Sequence, residues 1–450
     1  MEYENTLAFA QQMDKADSLK SYRGKFYFPM MHGREAIYFT GNSLGLQPKA
    51  TQDYVLNELE DWATFGVEGH HHARKPWFPY HEQFAVPVAK IVGAKPEEVV
   101  VMNQLTVNLH LLLVSFYRPT KERYKILCEA KAFPSDQYAL ESQIKFHGYD
   151  PADAIIEVSP REGEYCIRHE DIITAIENNK NSIALIMIGG VNYYNGQVFD
   201  MKAITEAGHK VGAIVGFDLA HAAGNLKLAL HDWNVDFACW CSYKYLNSGP
   251  GGVAGVFIHQ QHLNNPDIPR FAGWWGHDKE TRFKMEKTFI PMQTAEAWQI
   301  SNAPVLSMAA HKASVALFDE VGMDALVEKA EKLTGYLEFV VEEINKYQVA
   351  GSKYQVAGSK YQVAGSKYQV AGSKHPDGFL EIITPRDKKQ RGCQLSIVAH
   401  GKGKDLFNKL TQAGVIADWR EPNVIRCAPV PLYNSFEDVF RFGEILKDVL

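Results

Sequence analysis

The sequence predicts an α/β domain built on a mainly parallel sheet, followed by a smaller α+β domain. Three observations predict it. The middle of the chain alternates short apolar runs with helical patterns, the rhythm of strand–helix–strand units. The apolar runs show little polar alternation, as strands buried on both faces require. From about Asn302 the pattern gives way to long amphipathic helices and separate strands. At 450 residues the chain exceeds one ordinary core, so two domains are expected.

The elements follow in order. The opening "MEYENTLAFAQQMDKADSL" is acidic and lacks the basic segment and apolar core of a secretory signal. "EEVVVMNQ" is a strand leading into the helical "LTVNLHLLLVSFY". "YKILCEAKAF" precedes the helix "PSDQYALESQIKFHG". "NSIALIMIGGVNYY" precedes "DMKAITEAGHKVG", and "AIVGFDLAHAAG" precedes a helical "NLKLALHDWNV". "DFACWCSYKY" then runs through the turn "NSGPGG" into the apolar "VAGVFIH". Beyond Asn302 come two long helices with a period of about 3.6 residues, the strands "GFLEIITP", "QLSIVAH" and "VIADWREPNVIRCAP", and the helix "GKDLFNKLTQAG". A last helix, "SFEDVFRFGEILKDVL", is capped by Ser435. The expected boundaries are 38–303 for the large domain and 304–450 for the small one, with 1–37 contributing to the latter.

"KYQVAGS" occurs four times between Lys346 and Ser373, closed by Lys374. Gly and Ser in each unit argue against a coiled coil, and a solenoid needs units of about 20 residues or more. The segment 346–374 reads as a duplicated surface loop or a sequence artefact, and no function is assigned to it.

The net charge of −6 is spread over interspersed acids and bases. No basic stripe points to nucleic acid and no polybasic amphipathic segment to a membrane. No stretch approaches the ~20 apolar residues of a spanning helix, so a cytoplasmic protein is expected. The six cysteines are scattered, without paired C-x-x-C spacing, and read as reduced core thiols. His70, His71 and His72 have no carboxylate or thiolate at ligand spacing, so no metal is expected.

In parallel sheets, ligands bind beyond the carboxyl ends of the strands, where Asp218, His221 and Lys244 fall. Singly, Asp218 reads as a helix N-cap and Lys244 as a surface cation. As a pair on adjacent strand ends they are what pyridoxal 5'-phosphate (PLP) chemistry requires. The lysine bonds the aldehyde, and the carboxylate keeps the pyridine nitrogen protonated so that the ring accepts electrons. His221 is placed to sit over the ring, and Tyr243 stands beside the lysine. The phosphate needs a helix N-terminus. "VVVMNQLT" supplies one, with Asn103 or Thr106 near its start and the N–H groups of Leu105 and Thr106 on offer. In "AKAFPSDQY", Phe133 is either a stacking partner of the ring or a core aromatic, and Asp136 lies near the ring's edge.

Longer motifs then come into view. "YFTGNSLGLQPK", "GVEGH", "AFPSDQYA", "GVNYYNGQ", "GFDLAHAAGN", "CWCSYKYLNSGPGG", "GWWGH", "TRFKM", "ISNAPVL" and "RGCQLSIV" closely resemble the kynureninase family, PLP-dependent hydrolases of L-kynurenine. The resemblance runs from about Tyr38 to the C-terminus and is interrupted only by the repeat. It implies the PLP-dependent transferase fold type I with a seven-stranded sheet, and a homodimer whose active sites draw on both subunits. It implies that Lys244 is the Schiff-base lysine and Asp218 the partner of the pyridine nitrogen, with His221 beside it. Leu105, Thr106, Phe133, Pro134, Ser135, Asp136, Gly189 and Tyr243 are implied as cofactor contacts. Trp274 and Asn302 are implied to reach in from the partner subunit. Gly189 stands where a close relative has serine, which leaves only backbone there.

For substrate, the resemblance implies Ser43, His70, Tyr194, Trp275, Asn302 and Arg426. A bidentate arginine suits an amino-acid carboxylate; from the residues alone Arg426 reads as a surface arginine on an edge strand. Trp275 is expected to line the aniline pocket, and Tyr194 to move protons at the substrate carbonyl. The implied reaction is hydrolysis of L-kynurenine or 3-hydroxykynurenine to anthranilate or 3-hydroxyanthranilate and L-alanine, in tryptophan catabolism or NAD biosynthesis. The rival chemistry is a cysteine desulfurase or selenocysteine lyase of the same fold, which would need a loop-borne cysteine; Cys393 and Cys427 lie in apolar strands. A non-catalytic scaffold would have little use for Lys244 and Asp218 together.

Overall fold

The computed structural model describes residues 2–351 and 375–450. A seven-stranded sheet forms the centre, in the order Val99–Val101, Gly255–Ile258, Phe237–Trp240, Ile214–Asp218, Ile183–Gly189, Lys125–Glu129 and Ile155–Val158. Gly255–Ile258 runs antiparallel to both neighbours, and the other adjacent pairs are parallel. The sheet is therefore mainly parallel, as the uninterrupted apolar runs predict. Phe237–Trp240 and Gly255–Ile258 are buried at every position, since helices and loops cover both faces. Gly216 lets its strand pass the Phe237 ring, which a Cβ would strike.

One crossover departs from the sequence pattern. Between Asp218 and Phe237 the "NLKLALHDWNV" segment forms successive turns rather than a helix. Its apolar residues anchor it all the same: Leu228, Leu230 and Val235 are buried. Gly224 adopts φ +77°, and Asn225 spends its side chain on His221 O and Cys393 N–H. Side-chain capture of backbone groups competes with helix here.

The C-terminal part holds a four-stranded antiparallel sheet ordered Leu380–Ile382, Leu395–Ala399, Val424–Cys427, Asp418–Arg420. Residues from the start of the chain complete its layers. Ile37–Tyr38 pairs in parallel with Val415–Ile416, and the Leu7–Ala16 helix packs on the last helix, Phe436–Val449. Asp14 accepts the Phe436 and Glu437 N–H groups at 2.7 and 2.9 Å. Ser435 closes a capping box with Asp438 at the same helix start. The helix Met323–Gly351 contains the first residues of the seven-residue repeat; the surface-loop reading of the remainder, 352–374, lies outside the described residues.

Candidate active site

Asp218 is the last residue of its strand and is buried. The neighbouring strand ends at Trp240, and the turn beyond it brings Cys241, Tyr243 and Lys244 into the same pocket. One Asp218 oxygen accepts the Ala220 N–H at 2.6 Å. Asp136, in the first turn of the Pro134–Phe146 helix, shares a hydrogen bond with Asp218. Burial, then the Asp218 charge, pushes Asp136 well above the usual carboxylate range, and burial raises Asp218 too.

His221 Nε2 lies 3.0 Å from Lys244 Nζ. Burial, reinforced by the Lys244 charge, holds the imidazole well below its ordinary pKa, so it is neutral near pH 7. A neutral Nε2 accepts from the ammonium, which places the ring proton on Nδ1. That atom is buried and has no partner among the described residues.

The third component is an open helix start. The Leu105–Phe116 helix follows Gln104, whose side chain makes no cap, so its first N–H groups are available to an anion. Leu105 and Thr106 line the pocket. Asn103 does not: at φ 47° it turns its amide to Asn108 Oδ1 at 3.0 Å. Phe133, Ser135, Gly189 and Tyr243 complete the wall, and Pro134 opens the adjoining helix. Phe133 is 42% exposed and its ring centroid is 5.8 Å from Lys244 Nζ, which removes the core-aromatic reading.

These residues fit PLP. An amine, a buried carboxylate and an uncapped helix start face one pocket, and Asp136 Oδ1 is a further buried polar atom with no partner among the described residues. Five lining residues, Glu129, Val191, Tyr193, Ala220 and Cys241, were not anticipated. Glu129 carried a signal, since it ends an apolar strand as Asp218 does.

The proposed substrate residues divide into two groups. Ser43 lies in the turn that begins at Thr40, and this turn abuts the lysine: Gly45 N–H donates to Tyr243 O at 2.8 Å. A Cβ on Gly45 would collide with the Lys244 carbonyl and the Asn247 amide, so glycine is needed for the approach. Arg426 sits on an inner strand and is fully buried, which corrects its edge-strand surface reading. Its guanidinium is ion-paired with Asp418 and donates to Tyr193 O at 2.6 Å, while Nε has no partner among the described residues. Tyr194 turns towards Asn423 Oδ1, 3.3 Å away, and leaves the pocket wall to Tyr193, whose ring meets Phe133 edge-on at 5.3 Å.

His70, Trp275 and Asn302 are brought together elsewhere, in a cleft shared with Glu58, Trp62, Trp77 and Leu306. Trp275 is buried and stacks on Phe78 at 5.7 Å. Trp274 beside it is 45% exposed and donates to Arg282 O. None of these four residues lines the Lys244 pocket. Among the described residues, the three groups of histidine and carboxylate close enough to share an ion do not include His70, His71 or His72.

The thiols bear on the rival chemistry. Cys393 and Cys427 are completely buried, and burial pushes each thiol up to about 12. At neutral pH neither is a thiolate, so neither is an activated nucleophile.

The aminotransferase class-V family matches residues 37–369, and the kynureninase C-terminal domain matches 366–446. A kynureninase of Flavobacterium psychrophilum is 58% identical over 447 residues, covering 99% of both chains. That of Myxococcus xanthus is 53% identical, covering 99% of this chain and 97% of its own. The chain belongs to the kynureninase family. Kynureninases are PLP-dependent hydrolases acting on a carbon–carbon bond, and the chain is an enzyme of that class. Solved structures give the fold at greater distance. A cysteine desulfurase from Thermococcus onnurineus NA1 has a TM-score of 0.70 at 16% identity, covering 92% of this chain and 94% of its own. A C-DES mutant with glycine covalently linked to the PLP cofactor reaches 0.73 at 14% identity, covering 92% and 97%. They share the architecture, while the chain's sequence places it with the kynureninases rather than the desulfurases.

Proposed function

We propose that the chain hydrolyses the Cβ–Cγ bond of L-kynurenine, or of its 3-hydroxy form, to anthranilate or 3-hydroxyanthranilate and L-alanine. The observation that carries this reading is the meeting of Lys244 and Asp218, from separate strand ends, in one pocket with an uncapped helix start. PLP, when bound, supplies an electron sink for the negative charge that develops next to the amino-acid nitrogen. The chain's residues do the rest. Asp218 holds the proton on the ring nitrogen. Lys244 moves the proton at the substrate Cα, with a neutral His221 accepting from its ammonium. Tyr194, which burial keeps a phenol at neutral pH, is our candidate for delivering a proton at the carbonyl side of the bond being cut, a role that requires its hydroxyl to turn from Asn423 into the pocket.

The remaining roles follow from placement. A second copy of the chain completes the site in a homodimer, since His70, Trp274, Trp275 and Asn302 lie away from Lys244 within one chain. The exposed side chains of Trp62 (61%), Val67 (75%) and Leu306 (41%) around that cleft support a buried contact. No helix among the described residues is long and apolar enough to cross a membrane, and we place the enzyme in the cytoplasm, in tryptophan catabolism or NAD biosynthesis. We divide the chain at 37 and 303, assigning 1–37 and 304–450 to the small domain.

The experiment is direct. Purified protein with PLP releases fluorescent anthranilate from L-kynurenine; release of sulfide from cysteine in its place overturns the reading. Side-by-side turnover of the 3-hydroxy substrate fixes the preference.

Arg426→Ala raises KM for kynurenine and leaves the bound-cofactor spectrum in place. It also removes one of the two arginines paired with the part-buried Asp418 and leaves Arg420 at 3.3 Å, so the melting temperature falls by less than the loss of a sole buried partner would cost. Loss of the cofactor spectrum in protein that is still folded would remove Arg426 from the substrate side of the pocket.

A further inference from the structure

Glu129 is the one carboxyl of the pocket for which neither the fold nor the proposed chemistry has yet given a use. It ends the Lys125–Glu129 strand and is 5% exposed. Both of its oxygens accept the Gly189 N–H at 3.2 Å. Gly189 is the register partner of Asp218, so Glu129, Gly189 and Asp218 stand in a row across three adjacent strand ends. The absence of a side chain at 189 eases this fit, because a Cβ there would come to 3.0 Å from Glu129 Oε1. Among the described residues no cation pairs with Glu129. The other titratable groups facing the pocket are Asp218, Asp136, His221, Cys241, Tyr193, Tyr243 and Lys244.

We propose that Glu129 is a positioning residue of the cofactor pocket, setting from behind Asp218 how firmly that carboxylate holds the proton on the ring nitrogen. The inference rests on the PLP reading of the pocket. A buried anion two strands away raises the proton affinity of Asp218. Burial and the Asp218 charge already hold Asp136 well above the usual carboxylate range, which leaves Glu129 as the carboxyl that changes charge. Burial lifts it to about 7, inside the working range of pH. Its ionisation strengthens the grip of Asp218 on the ring proton.

The test uses holoenzyme. Absorbance of bound PLP is titrated with pH in wild type, Glu129→Gln and Glu129→Asp, and kcat and KM for kynurenine are measured alongside. In Glu129→Gln the midpoint of the absorbance curve moves down by about one pH unit, a tenfold change in proton affinity. The kcat falls on the order of tenfold while KM holds, and Glu129→Asp, which keeps the charge, recovers part of both. An absorbance curve that matches wild type overturns the proposal, including when Glu129→Gln lowers the melting temperature, because the residue is then only structural. Wild-type protein that neither binds PLP nor releases anthranilate overturns the functional reading itself, a result separate from any difference between variants.

Discussion

Lys244→Ala yields a folded, colourless protein that turns over L-kynurenine on the order of 10³–10⁴-fold more slowly. Two losses coincide. The pocket loses the amine that bonds the cofactor aldehyde, and it loses the base nearest the reacting carbon. The fold is spared, because Lys244 lies in a turn after the Phe237–Trp240 strand and, among the described residues, its Nζ hydrogen-bonds the His221 ring and makes no ion pair. The check is an absorbance spectrum after dialysis against PLP, with anthranilate fluorescence for activity. A variant that stays yellow and active would move the covalent role to another lysine.

Asp218→Asn gives the second large effect. The amide keeps the shape and can still accept the Ala220 N–H, but it carries no charge to oppose a protonated ring nitrogen. Removing a preorganised charge of this kind costs about 10²–10³ in kcat, and KM for kynurenine stays near the wild-type value. Stability moves in the opposite sense. The folded protein raises the pKa of Asp218 above its unfolded value, so folding is favoured while the group is protonated. That contribution is lost as pH rises from the unfolded value through the folded one. Cofactor-free Asp218→Asn therefore melts higher than wild type at pH 8, and the difference shrinks on acidification. Equal melting curves at pH 8 would mean that the charge is compensated in the empty pocket. The opposition between activity and stability is what a site built around a strained charge should show.

The sheet was legible because its strands are short and apolar, and because residues with ionisable groups stand where those runs stop. Asp218 and Lys244 follow directly from that rule. The same rule would have found Glu129, but the "AKAFPSD" that follows it drew attention to the loop instead. The choice between Tyr193 and Tyr194 was not legible, since both fall in the turn 193–195, where no strand or helix periodicity fixes side-chain direction, and only the contact with Asn423 shows which left the wall. The pairing of Arg426 with Asp418 depends on the register between two strands, and no local pattern encodes it. The turns of 225–235 were read as helix because their apolar spacing suits one, while Asn225 binds backbone groups from opposite sides. His70, Trp275 and Asn302 came from motif likeness, and their distance from Lys244 in one chain has a geometric reason only if a second chain supplies them.

The stretch between Phe39 and Gly45 works as a tendon. At one end Phe39 is tied to Ile416 and Ala428 in the C-terminal sheet region, and at the other Gly45 is tied to the peptide beside the reactive amine. Any displacement of the C-terminal layers is delivered to the backbone that carries Lys244, without passing through the solvent-filled cavity. Catalysis in this enzyme thus inherits the stiffness of a sheet that holds none of its cofactor, and loosening that sheet would detune the amine from a distance.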